Sequence, residues 1–205
     1  MRLILTISCT FTLFYTADML QCYTCEPEDE HCRTAILKNC VRAVCSTFTS
    51  VDDPSDSIRV SKGCTYVAKN CYFMDKITKL SLSDGYSQAS QSSFCCNTTG
   101  CNLDTLPALS DKPNNLHCHT WVNGTHEVLQ CVGIEDHCFK YKEPTPDGGK
   151  GTIYGGCASS DSCLWSEMPT QTNLNCCKGS LCNKAMGMRL SSLPLLLGLL
   201  IISLV

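Results

Sequence analysis

Cysteine is the residue that most limits what this chain can become. It occurs 19 times in 205 residues, about 9%, the density of a disulfide scaffold rather than of a domain held by an ordinary apolar core. The cysteines also repeat. CCNTTGCN at 95–102 returns as CCKGSLCN at 176–183, and NCVRAVC, KGCTYVAKNC and FCCNTTGCN are answered in order by QCVGIEDHC, GGCASSDSC and NCCKGSLCN. Two long copies argue for tandem domains and against a solenoid. Units this small bury too little apolar surface to be stable alone, so cross-links must replace the missing core.

The two ends say where such cross-links form. MRLILTISCTFTLFYTA has one basic residue, Arg2, then an apolar run closing on the small Ala17. That is the pattern of a secretory signal peptide spanning 1–17. Cys9 leaves with it, and 18 cysteines remain, an even number for an oxidising compartment. At the far end, KAMGMRLSS leads into LPLLLGLLIISLV. Thirteen residues make a helix of roughly 20 Å, against a bilayer core of about 30 Å. Small residues, a polar spacer and a short apolar tail are the arrangement of a glycosylphosphatidylinositol (GPI) attachment signal. The expected attachment site is Asn183, with Ala185 and Gly187 as alternatives, and 184–205 removed on maturation. The protein is then expected on the outer leaflet of the plasma membrane, or secreted if the tail is ignored or shed.

The formal net charge is −3 with no basic stripe, which excludes nucleic acid as a partner and leaves extracellular or membrane proteins. Between the cysteines the pattern is that of hairpins. Ser46–Val51 alternates, DDPSD turns, and Ile58-Arg59-Val60 returns. Phe139 and Tyr141 alternate with Lys140 and Lys142, PTPDGGKG turns, and Thr152-Ile153-Tyr154 returns. Period-two runs flanking Pro/Asp/Gly clusters are strand–turn–strand signals, and no stretch shows helical periodicity of useful length. The fold class is all-β. LDTLPALSDKPNNLH, 103–117, with Pro107 and Pro113, reads as a linker.

LQCYTC near the mature start, GC before the penultimate loop and CC-x4-CN at the close resemble the urokinase-receptor and lymphocyte-antigen-6 superfamily of three-finger domains. The resemblance covers most of the mature chain, twice, as domains at 18–102 and 118–183. It implies three β-hairpin fingers on a disulfide-knotted palm in each unit. It also implies a pairing that spacing alone leaves open, ten cysteines allowing 945 connectivities by the usual counting. In the first unit the implied bridges are Cys22–Cys45, Cys25–Cys32, Cys40–Cys64, Cys71–Cys95 and Cys96–Cys101. In the second they are Cys118–Cys138, Cys131–Cys157, Cys163–Cys176 and Cys177–Cys182. Asn102 and Asn183 match the terminal asparagine that ties the last strand to the palm. The second unit departs from the pattern: Trp121 and His126 stand where one bridge is missing, so parity is kept. Adjacent cysteines in a β segment point to opposite sides, so each of a pair can serve a different bridge.

Cys22-Tyr-Thr-Cys25 matches C-x-x-C, but in a secreted chain it belongs to the disulfide framework rather than to redox or zinc chemistry. Gly148-Gly-Lys-Gly151 lacks the spacing and following hydroxyl of a phosphate loop. No nucleophile-elbow or zinc-protease spacing occurs. Neither a catalytic residue nor a cofactor is expected, and the chain is not read as an enzyme. Glu28, Asp29 and Glu30 crowd the loop between Cys25 and Cys32, a solvated tip or a docking patch for a basic partner. Trp165 and Met168 follow Cys163 at the base of the last finger and are candidates for a binding hot spot. Asn97-Thr-Thr and Asn123-Gly-Thr are the N-glycosylation acceptors. Together these features point to a GPI-anchored adhesion or receptor module. The alternative is a secreted inhibitor resembling the two-unit phospholipase A2 inhibitors of the same superfamily.

Overall fold

The computed structural model describes residues 19–184 apart from Pro27, 54–56, 67–70, Tyr72, Asn123, 144–150 and 168–173. Met168, the sequon asparagine Asn123 and most of the Gly-Gly-Lys-Gly stretch therefore lie outside the described residues, as do both terminal apolar segments. The described chain is all-β and rich in disulfides. Six strands come from the first cysteine copy: β1 Gln21–Cys25, β2 Ala35–Asn39, β3 Val44–Val51, β4 Arg59–Thr65, β5 Ile77–Ser83 and β6 Gln88–Cys96. The second copy gives β7 Pro113–Val122, β8 Thr125–Val132, β9 His137–Lys142, β10 Ile153–Ala158 and β11 Asn175–Cys177. A short helix, α1 (Ser160–Ser166), separates β10 from β11, and a 3-10 turn covers Cys182–Lys184.

β1–β2 and β7–β8 are separate antiparallel hairpins, and the other seven strands form one sheet in the order β11-β9-β10-β5-β6-β3-β4. What fills the palms is sulfur. One buried cluster is Cys22, Cys40, Cys45 and Cys96, and its counterpart is Cys118, Cys131, Cys138 and Cys157. Each palm is then closed by an asparagine. The Asn102 amide donates to the Tyr23 and Ser46 carbonyls and accepts from the Tyr23 N–H, all within 2.9 Å. Asn183 does the same for both backbone groups of His119 and the carbonyl of Phe139.

The two copies share a sheet, because β10 pairs with β5 at Cys157–Ser83 and Ala158–Leu82. Gly156 makes this possible: a Cβ there would lie 1.9 Å from the Ser83 carbonyl oxygen. Beyond Ala158 the ladder continues by other means. The Ser159 N–H donates to the Ser81 carbonyl, and the Ser81 N–H is met by the hydroxyls of Ser159 and Ser162. Ser159 also caps α1, accepting from the Ser162 N–H, so the helix starts where the pairing ends.

Glu135 sits under this seam, 1% exposed. Its carboxylate accepts from the Ser81 and Ser83 hydroxyls of β5 and from the Val132 N–H. Burial is the main influence and raises its pKa above the ordinary carboxylate value, partly opposed by those three hydrogen bonds. A raised folded-state pKa favours the native state most below the unfolded value of about 4.3, and that advantage fades as pH rises through the folded pKa. The stability difference between the native chain and Glu135→Gln should therefore shift against the native chain as pH rises through this window. Denaturant melts at several pH values check this, and a pH-independent difference would contradict it.

The stretch read as a linker holds two structured pieces. Residues 103–107 cross the back of the first copy's part of the seven-stranded sheet, where Thr49 donates to the Leu106 carbonyl, Ser92 to Pro107 and Lys62 to Leu103. Pro113 already opens β7. A second departure is α1, which no helical periodicity announced. Seven residues are too few to show a period, and the Ser-Ser-Asp-Ser run at 159–162 reads equally as a loop.

Candidate functional site

With their back covered by 103–107, strands β3, β5 and β6 leave their front face open. Register sets the floor in cross-strand rows: Phe48, Ser93 and Thr78, then Ser50, Gln91 and Leu80, then Ala89 beside Leu82. Phe73 rises at one end and Trp165 of α1 stands over the middle. Two hollows of about 420 and 370 Å³ share Ser50, Leu80, Gln91 and Trp165, so they are one groove divided by the indole. The first mixes hydroxyl and aromatic groups. The second is mostly apolar, with Leu82 and Leu174 in its lining. The one charged residue among those lining it is Asp52, whose carboxylate is 3.0 Å from Arg59.

Helix α1 is locked in place to hold that wall. Its Asp161 accepts from the Lys79 N–H at 2.9 Å and lies 3.6 Å from the Lys76 ammonium, both on or beside β5. Cys163, on the same helix, is bonded to Cys176. Trp165 thus belongs to the second unit but faces a floor made by the first. Sequence reasoning marked Trp165 and missed Phe48, Phe73, Leu80 and Gln91. Alternation in β3, β5 and β6 assigns them to one face but says nothing about whether that face is covered.

The other marked residues are scattered. Glu28 is exposed and Glu30 is exposed beside the Cys25–Cys32 bridge. The Asp29 carboxylate accepts from the Thr34 N–H, which lowers its pKa below the ordinary value. That bond gives Asp29 a local role as a turn brace. None of the three lines the groove. Asn97 is exposed within the Cys96–Cys101 loop, on the palm and away from the floor. Asn183 is 3% exposed, its side chain engaged by the second palm.

The structure joins Cys22 to Cys45, Cys25 to Cys32, Cys40 to Cys64, Cys71 to Cys95 and Cys96 to Cys101. In the second copy Cys118 is joined to Cys138, Cys131 to Cys157, Cys163 to Cys176 and Cys177 to Cys182. Two triads of close sulfurs, Cys22/Cys40/Cys64 and Cys118/Cys131/Cys157, have the proximity of metal ligands. Every member is half of a disulfide, so no thiolate is left to bind an ion.

The urokinase plasminogen activator surface receptor of Bos taurus is 29% identical to this chain over 103 residues. The all-β, disulfide-rich architecture agrees with that likeness. The chain fits the urokinase-receptor and lymphocyte-antigen-6 superfamily. The match covers 43% of this chain and 31% of the bovine receptor, so it spans less than a third of that protein's length. No protein-family profile matches the chain. By its name, that relative is a surface receptor. No helix among the described residues is long and apolar enough to cross a membrane.

Proposed function

We propose that this chain is a GPI-anchored cell-surface glycoprotein of two three-finger domains, 18–102 and 118–183, which binds an extracellular or membrane protein. An apolar segment of that partner seats in the groove. The observation that carries this reading is Trp165 standing over a three-row floor contributed by the other unit. Hollows of this size fall within the roughly 300–1,000 Å³ of ligand pockets, and a lining whose one charged residue, Asp52, is paired with Arg59 favours apolar side chains. The groove offers a binder's chemistry rather than an enzyme's.

Several sequence features support the anchor and the glycans. The terminal apolar run is short for a span and follows small residues. Attachment at the Asn183 carboxyl, or at Ala185 or Gly187, keeps the Asn183 side chain in the palm. The sequon asparagines Asn97 and Asn123 carry the glycans, and Asn97 is not among the residues lining the groove.

One experiment tests both levels. Cells expressing the full chain, tagged after Ala17, are treated with phosphatidylinositol-specific phospholipase C, and the released protein is panned against a random peptide phage library. Release from the surface is expected, with enriched peptides that bind Trp165→Ala at least tenfold more weakly, as truncation of a buried aromatic anchor costs about 2 kcal/mol or more. Protein found only in the medium would replace the anchored receptor by the secreted inhibitor and make phospholipase A2 inhibition the next assay. Peptides indifferent to Trp165→Ala would reject the groove.

A further inference from the structure

The first finger of each unit is tied in a different way. In the first, the Cys25–Cys32 disulfide closes the tip beyond β1 and β2. In the second, Cys118 and Cys131 bond away to Cys138 and Cys157, and no disulfide joins β7 to β8. Rings stand in its place. Trp121 and His126 are direct cross-strand partners with centroids 5.4 Å apart, and His126 also lies 4.4 Å from His119. Gly155 gives the indole its bed, since a Cβ there would meet the Trp121 ring at 2.5 Å.

His119 is the odd member. It is 5% exposed, and neither ring nitrogen has a hydrogen-bond partner. The charged or titratable groups that act on it are all basic: His126 of β8, Lys140 of β9 and, where the anchor is attached beyond Asn183, Lys184 of the terminal 3-10 turn. The Lys140 ammonium lies 4.5 Å over the Trp121 ring and donates to the Lys184 carbonyl. A neutral imidazole can stay in such a place as one more ring in the stack. An imidazolium there would be a buried cation without an acceptor, facing other cations, and its escape to water undoes the tie.

We propose that the stack of His119, His126 and Trp121 is a pH-operated latch on the β7–β8 finger, shut while His119 is neutral and released when it takes up a proton. The inference stands apart from the groove and its ligand. Burial first, and the neighbouring basic groups after it, lower the His119 pKa from the ordinary histidine value. The sign follows. Above about pH 6.5 neither form holds the extra proton and the closed form keeps its full advantage. Below that the open form protonates first, so the closed form loses ground until pH reaches the lower, closed-state pKa. Between pH 7.5 and 5.5 the open population rises by up to about tenfold. A surface protein carried into an acidic compartment would loosen this finger and not its disulfide-tied counterpart.

Hydrogen exchange of the purified full-length chain at pH 7.5 and 5.5, corrected for intrinsic rates, tests the latch. Protection of the β7–β8 amides is expected to fall severalfold to about tenfold at pH 5.5, while the β1–β2 amides change little. His119→Phe keeps the stack without the titration and should hold β7–β8 equally protected at both pH values. As a second variant, Trp121→Cys with His126→Cys places two cysteines on facing residues, whose Cα separation of about 4.5–5.5 Å suits a disulfide. That lock should also abolish the pH response. Equal β7–β8 protection in the unaltered chain at both pH values overturns the proposal, whether or not either variant folds. So does an undiminished pH response in a folded His119→Phe chain.

Discussion

On heating at neutral pH without denaturant, the oxidised protein is expected to unfold cooperatively and the fully reduced protein to lose structure gradually. Five of the nine bridges join residues 20–26 apart in sequence. Closing a loop of that size in the unfolded chain is worth about 3 kcal/mol. Two such bridges already match the low end of the roughly 5–15 kcal/mol that holds a whole domain together. The apolar core to fall back on is thin: the palm clusters consist of the half-cystines themselves, and among the described residues the other buried apolar side chains are Val44, Val60, Leu106, Phe139 and Ala158. Near-ultraviolet circular dichroism against temperature, with and without excess dithiothreitol, is the measurement. A sharp transition surviving complete reduction, verified by mass after alkylation, would mean that the sheet carries the stability and that the sulfur only fills space.

Replacing Asn102 by alanine should be the most damaging single polar substitution in the first unit. The side chain is 1% exposed and serves three backbone groups, the N–H and carbonyl of Tyr23 and the carbonyl of Ser46. A buried polar group left without its partner costs about 1–3 kcal/mol, so about 3 kcal/mol or more is expected from the midpoint of denaturant unfolding. Asn102→Asp should do no better, because it turns two donors into an acceptor facing carbonyl oxygens. Asn175→Ala, at an exposed position, serves as the control and should stay within about 0.5 kcal/mol. An Asn102→Ala midpoint indistinguishable from that control would remove the asparagine from its bracing role.

What could be read beforehand depends on how local the signal is. Alternation through Ser46–Val51 and around Phe139 and Tyr141 shows itself within a few residues, and both runs are strands, β3 and β9. The serine-rich run at 87–93 looks like a loop, yet most of it is β6. Its back is covered by 103–107, whose carbonyls accept from Thr49, Ser92 and Lys62, so the buried positions on that side are polar and leave no hydrophobic mark. The pairing of β5 with β10 is also silent, since an alternating strand has the same sequence at an edge as inside a sheet. Among groove residues, Trp165 stood out by type alone. Gln91 and Thr78 did not, because a polar side chain on an open sheet face looks the same in sequence whether or not a tryptophan stands above it.

The shared ladder at β5 and β10 has a corollary for shortened forms of the chain. A fragment ending after Asn102 would leave β5, and one starting at Pro113 would leave β10, as an uncovered strand edge with its N–H and carbonyl groups turned to solvent. Such an edge is a template for whatever strand arrives first, including another copy of itself. Gly156, small enough to admit Ser83, would as readily admit a stranger, and Glu135 would lose the two serine hydroxyls that accompany its buried charge. Alternative splicing or proteolysis between the copies would therefore yield sticky halves rather than two smaller binders.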